Sequence, residues 1–209
     1  MTQHPFNPLN TPRVVVEFLL ENNVLQFGDF TLKSGKKSPF FLDIGRISSG
    51  EALHTLGLAF SQKIETAFPN TDTLIGPAYK GIALATAVAV ARTSSQKSNW
   101  RVAFNRKEVK THGEAGEWFG SPLKANDCAV VIDDVVSDGG TKVEMFAHVQ
   151  QKFGLKPLGV VVVVDRSVGN SAFDFPIVSL LKISELANIL QEMDHPQANA
   201  VHSFLNSNT

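Results

Sequence analysis

The stretch AVVIDDVVSDGGTK, from Ala129 to Lys142, decides how the rest of the chain is interpreted. Its first part, Ala129 to Ile132, is a short apolar run rich in β-branched residues, which predicts a strand buried on both faces of a parallel sheet. We expect this strand to stop at two carboxylates, Asp133 and Asp134. The small residues from Ser137 to Thr141 then allow backbone N–H groups to converge on one point. Such a loop suits an anion.

A helix is predicted directly after this loop. Its apolar residues have a mostly helical spacing that ends at Gly154, and they are Val143, Met145, Phe146, Val149 and Phe153. Unpaired N–H groups and the helix macrodipole favour a phosphate at this N-terminus. Two carboxylates beside a phosphate would repel it unless they bound something else, and vicinal sugar hydroxyls are suitable partners. The stretch therefore predicts a ribose phosphate site, although an acidic pair alone is compatible with an ordinary loop after a strand.

The whole stretch is more specific than the acidic pair. It lacks the Gly-Lys-Ser/Thr ending of a Walker loop and the GxGxxG of a dinucleotide fold. It resembles the motif by which type I phosphoribosyltransferases bind phosphoribosyl pyrophosphate (PRPP). The resemblance implies an α/β fold of the type I phosphoribosyltransferase class, with a central, mostly parallel sheet flanked by helices and a small N-terminal hood.

The resemblance also assigns residues to PRPP. Asp133 and Asp134 would hold the ribose hydroxyls, and the loop would cradle the 5′-phosphate; the PRPP-binding set here is Asp133, Asp134, Val135, Val136, Ser137, Asp138, Gly139, Gly140 and Thr141. Family loops usually have Thr where this chain has Ser137, and many have one glycine before the Thr. Ser137 keeps the hydroxyl and the extra glycine keeps a backbone donor, so we expect phosphate binding to survive.

Length and composition fit one globular domain of 209 residues. Within it we expect a hood mainly at 24–45, a core at about 50–182, and a C-terminal helix and tail at 184–209. The formal net charge of −1 argues against a general nucleic-acid binder. The basic residues are nevertheless clustered, which favours a small anionic ligand; the clusters are Lys33, Lys36, Lys37 and Arg46, and Arg101, Arg106, Lys107 and Lys110.

Cys128 is the only cysteine, so an intrachain disulfide is excluded, and we expect it to act as a small buried hydrophobic residue. This fits a reducing cytosol. The N-terminus MTQHPFNPLN has neither a basic start nor an apolar core, and no apolar run approaches the ~20 residues that span a bilayer. The expected location is the cytoplasm, with no membrane association.

Helices and strands are predicted along the whole chain. Thr11-Pro12 opens a helix that ends near Asn22-Asn23, and Ser48-Ser49 caps another. From Thr71 onward strands and helices alternate, which indicates a parallel sheet with flanking helices. The predicted elements are strands Thr73–Gly76, Arg101–Asn105, Leu158–Val164 and Ile177–Leu181, and helices Ile82–Ala91 and Ser184–Leu190. A surface tail is expected from His195.

A long polar loop, Arg106 to Gly120, is predicted after the strand that ends at Asn105. Its cations Arg106, Lys107, Lys110 and His112 are spaced to close over one polyanion, although a solvated charged loop is the alternative. The segment RKEVKTHGE closely resembles the mobile catalytic loop of the orotate phosphoribosyltransferase family. The resemblance implies that these four residues contact the pyrophosphate of PRPP, that the loop reaches the neighbouring subunit's site, and that the protein is a homodimer.

The same family has an N-terminal FTLKSG element, which this chain repeats within FTLKSGKKSPFFLDIGR. By this resemblance Lys33 touches both substrates and is catalytic with the loop cations, while Phe40 and Phe41 line the orotate pocket. Each phenylalanine taken alone is better explained by a buried core position.

Two further sites follow from the resemblance. In GPAYKG, Tyr79 and Lys80 would contact the pyrophosphate, and Lys80 is otherwise an unfavourable cation at a helix start. Arg166, just beyond VVVVVD, would bind the orotate carboxylate with two parallel hydrogen bonds, the alternative being a surface ion pair. Ser137 joins the orotate-binding set.

The remaining histidines have no clustered spacing, so a protein zinc site is not expected. The expected cofactor is Mg²⁺, held mainly by pyrophosphate and hydroxyl oxygens with waters rather than by protein ligands. The implied activity is transfer of the phosphoribosyl group from PRPP to orotate. Two alternatives stay open at this point: a phosphoribosyltransferase for a purine base, and a non-catalytic regulator that senses PRPP.

Overall fold

The structure, a computed structural model, describes residues 9–32, 35–94, 99–110, 116–137, 140–167 and 175–207, with the backbone alone for residues 109, 110, 116 and 140–143. The helices are α1 (Pro12–Glu21), α2 (Gly50–Ala67), α3 (Lys80–Ser94), α4 (Gly140–Phe153), α5 (Leu186–Glu192) and α6 (Ala198–Asn206). The strands are β1 (Leu25–Thr31), β2 (Lys37–Leu42), β3 (Thr73–Gly76), β4 (Arg101–Lys110), β5 (Gly116–Gly120), β6 (Cys128–Val136), β7 (Lys156–Asp165) and β8 (Ile177–Lys182).

The larger sheet of the described chain has the strand order β5-β4-β3-β6-β7-β8. Every neighbouring pair is parallel except β4 and β5, which are antiparallel. The strands before β6 extend the sheet in one direction and those after it in the other, so the order reverses between β3 and β6. In open α/β sheets ligands bind beyond the carboxyl ends of the strands at such a reversal.

The sheet is buried on both faces, as the apolar runs predict. Val161 and Val163 face one hydrophobic cluster and Val160 and Val162 face the other, all fully buried. This alternation follows from the two-residue period of a strand. Helix α4 covers the second cluster with Phe146 and Val149, whereas the other helices and the hood pack on the first. The sheet therefore lies between α4 on one face and the hood with the other helices on the opposite face.

The predicted N-caps of α1 and α2 are confirmed, and the predicted hood contains an antiparallel hairpin. Thr11 caps α1 by accepting a hydrogen bond from Val14 N at 3.3 Å, and Ser49 caps α2 by accepting one from Ala52 N at 3.1 Å. The hood is the antiparallel hairpin of β1 and β2. No helix in the described part of the chain is long and apolar enough to cross a membrane.

The prediction that the central strand stops at the two carboxylates is wrong, because β6 continues through Val136. Its pairing with β7 extends to Val136 opposite Asp165, whereas its pairing with β3 ends at Val131. Beyond that point β6 has a hydrogen-bonded strand on one side only. We call the region on the other side, between the end of β3 and β6, the crevice. Asp133 and Asp134 lie in this half-paired segment.

The prediction of a structureless loop over Arg106–Gly120 is also wrong. Strand β4 continues to Lys110 and β5 pairs with it, with Phe104 opposite Phe119 and Lys110 opposite Gly116. Backbone hydrogen bonds stabilise this hairpin. Because such bonds do not depend on apolar side chains, the hydrophobic pattern of the sequence does not reveal the two strands. The predicted lid is thus a two-stranded extension of the sheet, and its tip, residues 111–115, lies outside the described residues.

Three smaller predictions need correction as well. The residues after His195 are not a surface tail, because α6 buries Ala198 and Val201. Helix α3 begins at Lys80 rather than at Ile82, which places Lys80 and Gly81 in its first turn. Cys128 begins β6 and is only partly buried.

Candidate functional site

The site lies in the crevice where the strand order reverses. The connection from β3 to α3 and the connection from β6 to α4 both leave the carboxyl edge of the sheet here, since β3 and β6 are neighbours. Two helix N-termini therefore open toward one crevice, and such termini favour anions.

Gly81 allows α3 to begin directly against β6. A Cβ atom at this position would lie 2.5 Å from Pro77 Cδ and 2.8 Å from the carbonyl oxygen of Ile132, distances that no side chain tolerates. The glycine therefore fixes how closely the first turn of α3 approaches the carboxylates of β6. The sequence suggested only that this loop can present backbone groups; the contact with Ile132 became visible in the fold.

Lys80 and Asp134 form an ion pair across the crevice, with 2.9 Å between Nζ and Oδ2. The other oxygen of Asp134, Oδ1, accepts a hydrogen bond from Val135 N at 2.8 Å, and Asp133 Oδ1 accepts one from Asp134 N at 2.9 Å. The acidic pair is thus held by the backbone of its own strand, while Lys80 supplies a positive charge from α3.

The electrostatics of the crevice keep Lys80 charged. Burial disfavours the ammonium form, but the hydrogen bond from Lys80 to Asp134 and the negative charges of Asp134, Asp43 and Asp133 outweigh it, so the pKa of Lys80 is raised. Asp43 follows β2 and also pairs with Arg46 at 3.4 Å. A Cβ on Gly45 would lie 3.8 Å from Lys80 Cε, which shows that the turn after the hood borders this lysine.

The lid hairpin contacts the loop after β3. Asn105 Oδ1 accepts a hydrogen bond from Ala78 N at 2.8 Å, and Lys107 Nζ lies 4.4 Å from the centre of the exposed Tyr79 ring. The peptide bond between Ala78 and Tyr79 is cis. On the hairpin itself, the guanidinium of Arg106 lies 4.8 Å above the ring of Phe119. Both lid cations of known position therefore rest on aromatic faces.

Asn105 and Asp43 were missed by sequence reasoning as site residues. Asn105 was the predicted end of a strand, and its position at the carboxyl edge of a parallel sheet was the one available signal. Asp43 follows the hood strand and carried no comparable signal.

Arg166 follows β7 and lies beside the end of β6, where its N–H donates to the carbonyl oxygen of Val136 at 2.7 Å. Burial lowers the pKa of its guanidinium. A guanidinium that has lost part of its hydration is stabilised by a carboxylate. The position of Arg166 therefore fits the binding of an anion better than it fits a solvated surface ion pair.

The two hood phenylalanines have different positions. Phe40 is 1% exposed and packs edge-on against Phe204 of α6, with 5.7 Å between ring centres. Phe41 is 42% exposed and lies 5.5 Å from Phe30. The side chain of Phe40 thus has a core position, and the exposed aromatic face at this part of the hood belongs to Phe41.

Several predicted site residues lie outside the described part of the structure. These are Lys33, His112, Asp138 and Gly139, while Lys110, Gly140 and Thr141 are described by their backbone alone. Ser137 lies exposed at the end of β6, and Val136 is buried. The residues that the structure brings together are Tyr79, Lys80, Lys107, Asp133 and Asp134.

This fold and crevice define a phosphoribosyltransferase of type I architecture, and the comparison with protein families agrees. Residues 49–197 match the family described as phosphoribosyl transferase domain. The orotate phosphoribosyltransferase of Bifidobacterium longum is 35% identical over 198 residues, which cover 86% of each chain. That of Photobacterium profundum is 36% identical over 205 residues, which cover 92% of this chain and 95% of the relative.

Solved structures give the same result. The crystal structure of orotate phosphoribosyltransferase from Francisella tularensis superposes with a TM-score of 0.76 and 29% identity, covering 92% of this chain and 97% of that one. The Mycobacterium tuberculosis orotate phosphoribosyltransferase in complex with PRPP shares the fold, with a TM-score of 0.63 at 19% identity. The chain belongs to the orotate phosphoribosyltransferase family.

Proposed function

We propose that the protein transfers the 5-phosphoribosyl group from PRPP to orotate, giving orotidine 5′-monophosphate and pyrophosphate. Its membership of the family supports this activity, and relatives of 35–37% identity carry the corresponding name. The observation that carries the proposal is the Lys80–Asp134 pair in the crevice between β3 and β6. The pair sets a cation beside a carboxylate. PRPP requires both, because the carboxylate can accept hydrogen bonds from the ribose hydroxyls and the cation can bind the anionic leaving group.

The donor is bound along the crevice. Residues 137–141 hold the 5′-phosphate at the N-terminus of α4, because unpaired backbone N–H groups favour a phosphate there. Asp133 and Asp134 accept hydrogen bonds from the ribose hydroxyls, and the backbone at Val135 and Val136 completes this wall. Tyr79 and Lys80 contact the pyrophosphate from the other side.

The lid supplies positive charge where the leaving group gains negative charge. As the bond from the anomeric carbon to pyrophosphate breaks, the sugar becomes cationic and Arg106, Lys107, Lys110 and His112 stabilise the departing oxygens. Preorganised charges in a site closed to water contribute several kcal/mol, and about 1.4 kcal/mol is a factor of ten in rate. Lys110 and His112 are the candidates for proton donation to pyrophosphate, and Lys33 contacts both substrates.

Orotate lies between the hood and the end of β7. The guanidinium of Arg166 binds its carboxylate, supported by the partial burial that lowers the pKa of this arginine. Ser137, Lys33 and the hood segment at Phe40 and Phe41 form the rest of the pocket. The exposed ring of Phe41 is the aromatic face available to a flat pyrimidine.

The donor set fits Mg²⁺ bound mainly through the substrate. Asp134 already accepts hydrogen bonds from Lys80 and Val135. Mg²⁺ prefers oxygen ligands and retains waters, so pyrophosphate and ribose oxygens suit it, with Asp133 and Asp134 beside them. When bound, it neutralises charge on the pyrophosphate.

We further propose that the protein acts as a homodimer in the cytoplasm and that each lid closes over the neighbouring subunit's site. The resemblance of RKEVKTHGE to the family's catalytic loop supports the shared lid. The exposed ring of Tyr79 beside Lys107 is a suitable surface for a contact between subunits.

The decisive test of the activity is the loss of orotate absorbance when PRPP and Mg²⁺ are added. We expect turnover with orotate and none with adenine, hypoxanthine or uracil as acceptor. Turnover of a purine base in place of orotate would assign the protein to the purine class. Calorimetric binding of PRPP without turnover of any base would indicate a PRPP sensor and refute the proposed activity.

A further inference from the structure

The lid hairpin contains a large irregularity at its base. Asn105 pairs with Trp118 and Lys110 pairs with Gly116, so between these pairs β4 has the four residues 106–109, whereas β5 has only Glu117. Both lid cations of known position, Arg106 and Lys107, lie in this bulge. Bulges re-aim side chains and interrupt pairing. In the strand register, Glu117 is the residue of β5 that lies opposite the segment carrying these cations.

Glu117 is tied to α4 by Lys152, and its other carboxylate oxygen lies close to His148 of the same helix. Oε1 lies 2.9 Å from His148 Nε2 and Oε2 accepts from Lys152 Nζ at 2.5 Å. His148 and Lys152 are four residues apart and therefore occupy one face of the helix. The hydrogen bond from Lys152 outweighs the effect of burial and, with the charges of both partners, lowers the pKa of Glu117. The carboxylate is thus charged and is held by Lys152.

Trp118 strengthens the same junction. Its ring stacks on His148 with 6.4 Å between centres and an interplanar angle of 14°, and it meets Phe153 edge-on at 5.9 Å. The base of β5 is therefore attached to α4 by charge and by aromatic packing. The N-terminus of this helix, at Gly140, is part of the proposed phosphate cradle at residues 137–141.

We propose that Glu117 is a positioning residue that clamps the base of the lid to α4, so that Arg106 and Lys107 keep one orientation relative to the core of their own subunit and, in the proposed dimer, to the site that the lid covers. This inference rests on the proposed function, because it assigns Glu117 to the binding of PRPP through Arg106 and Lys107. Glu117 itself touches neither substrate. Its effect should therefore fall on the donor and not on orotate.

The test is the variant Glu117→Gln, which preserves shape and removes the charge. We expect its KM for PRPP to rise roughly two- to fivefold, the range for loss of a partly exposed ion pair, with an unchanged KM for orotate. Glu17→Gln is the matched control, because it removes the similar Arg13–Glu17 pair on α1. The exchanged pair Glu117→Lys with Lys152→Glu should recover part of the affinity for PRPP.

Trp118 gives a readout that a merely structural role would not change. In a Trp100→Phe background, which leaves Trp118 as the sole tryptophan, PRPP should alter the emission of Trp118, and Glu117→Gln should reduce that change. Two results would overturn the clamp, provided that the parent enzyme is active. One is a Glu117→Gln variant with the KM values of the parent; the other is an equal rise in KM for PRPP and for orotate together with lowered stability. Inactivity of the parent would instead refute the proposed function.

Discussion

At the residue scale, Lys80 shows how the fold decides the charge of a side chain. A lysine in the first turn of a helix opposes the macrodipole. Asp134, from a strand 54 positions away in sequence, reverses this disadvantage by accepting its hydrogen bond. The raised pKa of Lys80 keeps it cationic over the whole neutral range.

The variant Lys80→Met should bind PRPP more weakly. It removes a charged donor and the positive charge that pairs with Asp134, so KM for PRPP should rise about tenfold or more, corresponding to ~1.5–3 kcal/mol for a charged hydrogen bond. Steady-state kinetics measure this. Lys156→Met, at the exposed start of β7 on the opposite edge of the sheet, should leave KM unchanged. An equal loss in both variants would contradict the role of Lys80.

Asp127 provides a residue-scale prediction about pH. It is 8% exposed and accepts hydrogen bonds from Arg101 and from Lys124 N. Burial raises its pKa, but these bonds and the charge of Arg101 outweigh burial and hold the pKa below the ordinary 3.8. Its contribution to stability is therefore present above pH 3.8 and is lost as the pH falls through the lower folded value.

Asp127→Asn should lower the free energy of unfolding by about 1–3 kcal/mol at neutral pH, because Arg101 and Lys124 N lose a charged acceptor. The difference from the parent should shrink as the pH falls below 3.8. Urea unfolding followed by circular dichroism at stepped pH values measures it. A difference that stays constant down to the acid limit would show that the charge of Asp127 is not its cause. Glu192→Gln, at an exposed position, is the control.

At the element scale, the close approach of α3 to β6 organises the site. Gly81→Ala would place a Cβ 2.8 Å from the carbonyl oxygen of Ile132, so helix and strand must separate. We expect a loss of about 1–3 kcal/mol in stability, as for other overpacked positions. KM for PRPP should rise as well, because Lys80 moves away from Asp134.

Gly50→Ala is the matched control for Gly81→Ala. Gly50 begins α2, and a Cβ there would meet no atom within 4 Å. Alanine should therefore stabilise the protein by about 0.4–1 kcal/mol, by restricting the unfolded chain. Thermal unfolding of both variants gives the comparison, and equal effects at the two glycines would rule out the contact with Ile132 as the cause.

The elements also show where sequence patterns were sufficient. Apolar runs and caps predicted β3, β7, α1 and α2, because burial and capping depend on residues close in sequence. The same patterns failed for the lid hairpin, whose polar strands are held by backbone hydrogen bonds, and for α6, whose burial against Phe40 requires the hood to be in place.

At the scale of the whole molecule, the proposal that the lid is shared between subunits predicts how mixed dimers behave. Lys110→Ala and Asp134→Asn should each have little activity alone. If each lid serves its neighbour, a heterodimer of the two variants has one site with both changes and one intact site. Random reassortment then gives about a quarter of the parental sites.

The measurement is orotate turnover after the two variants are unfolded together and refolded. Each variant refolded alone is the control. Activity no greater than the sum of those controls, from a sample shown by native mass spectrometry to contain heterodimers, would place the lid over its own subunit's site.

The sequence by itself determined the class of fold and the chemistry of the ligand. The run from Ala129 to Lys142 joins a buried strand, two carboxylates and a loop of small residues, and RKEVKTHGE adds the cations. These features are local, because strand burial, helix starts and anion-binding loops depend on residues only a few positions apart.

Only the tertiary structure decided how these pieces meet. The end of β3 beside a longer β6 opens the crevice, Gly81 brings Lys80 to Asp134, and Glu117 joins the lid to α4. Each of these contacts joins elements that are distant in sequence. They depend on strand order and on where pairing ends, which are set by the packing of the whole sheet and not by any short stretch of it.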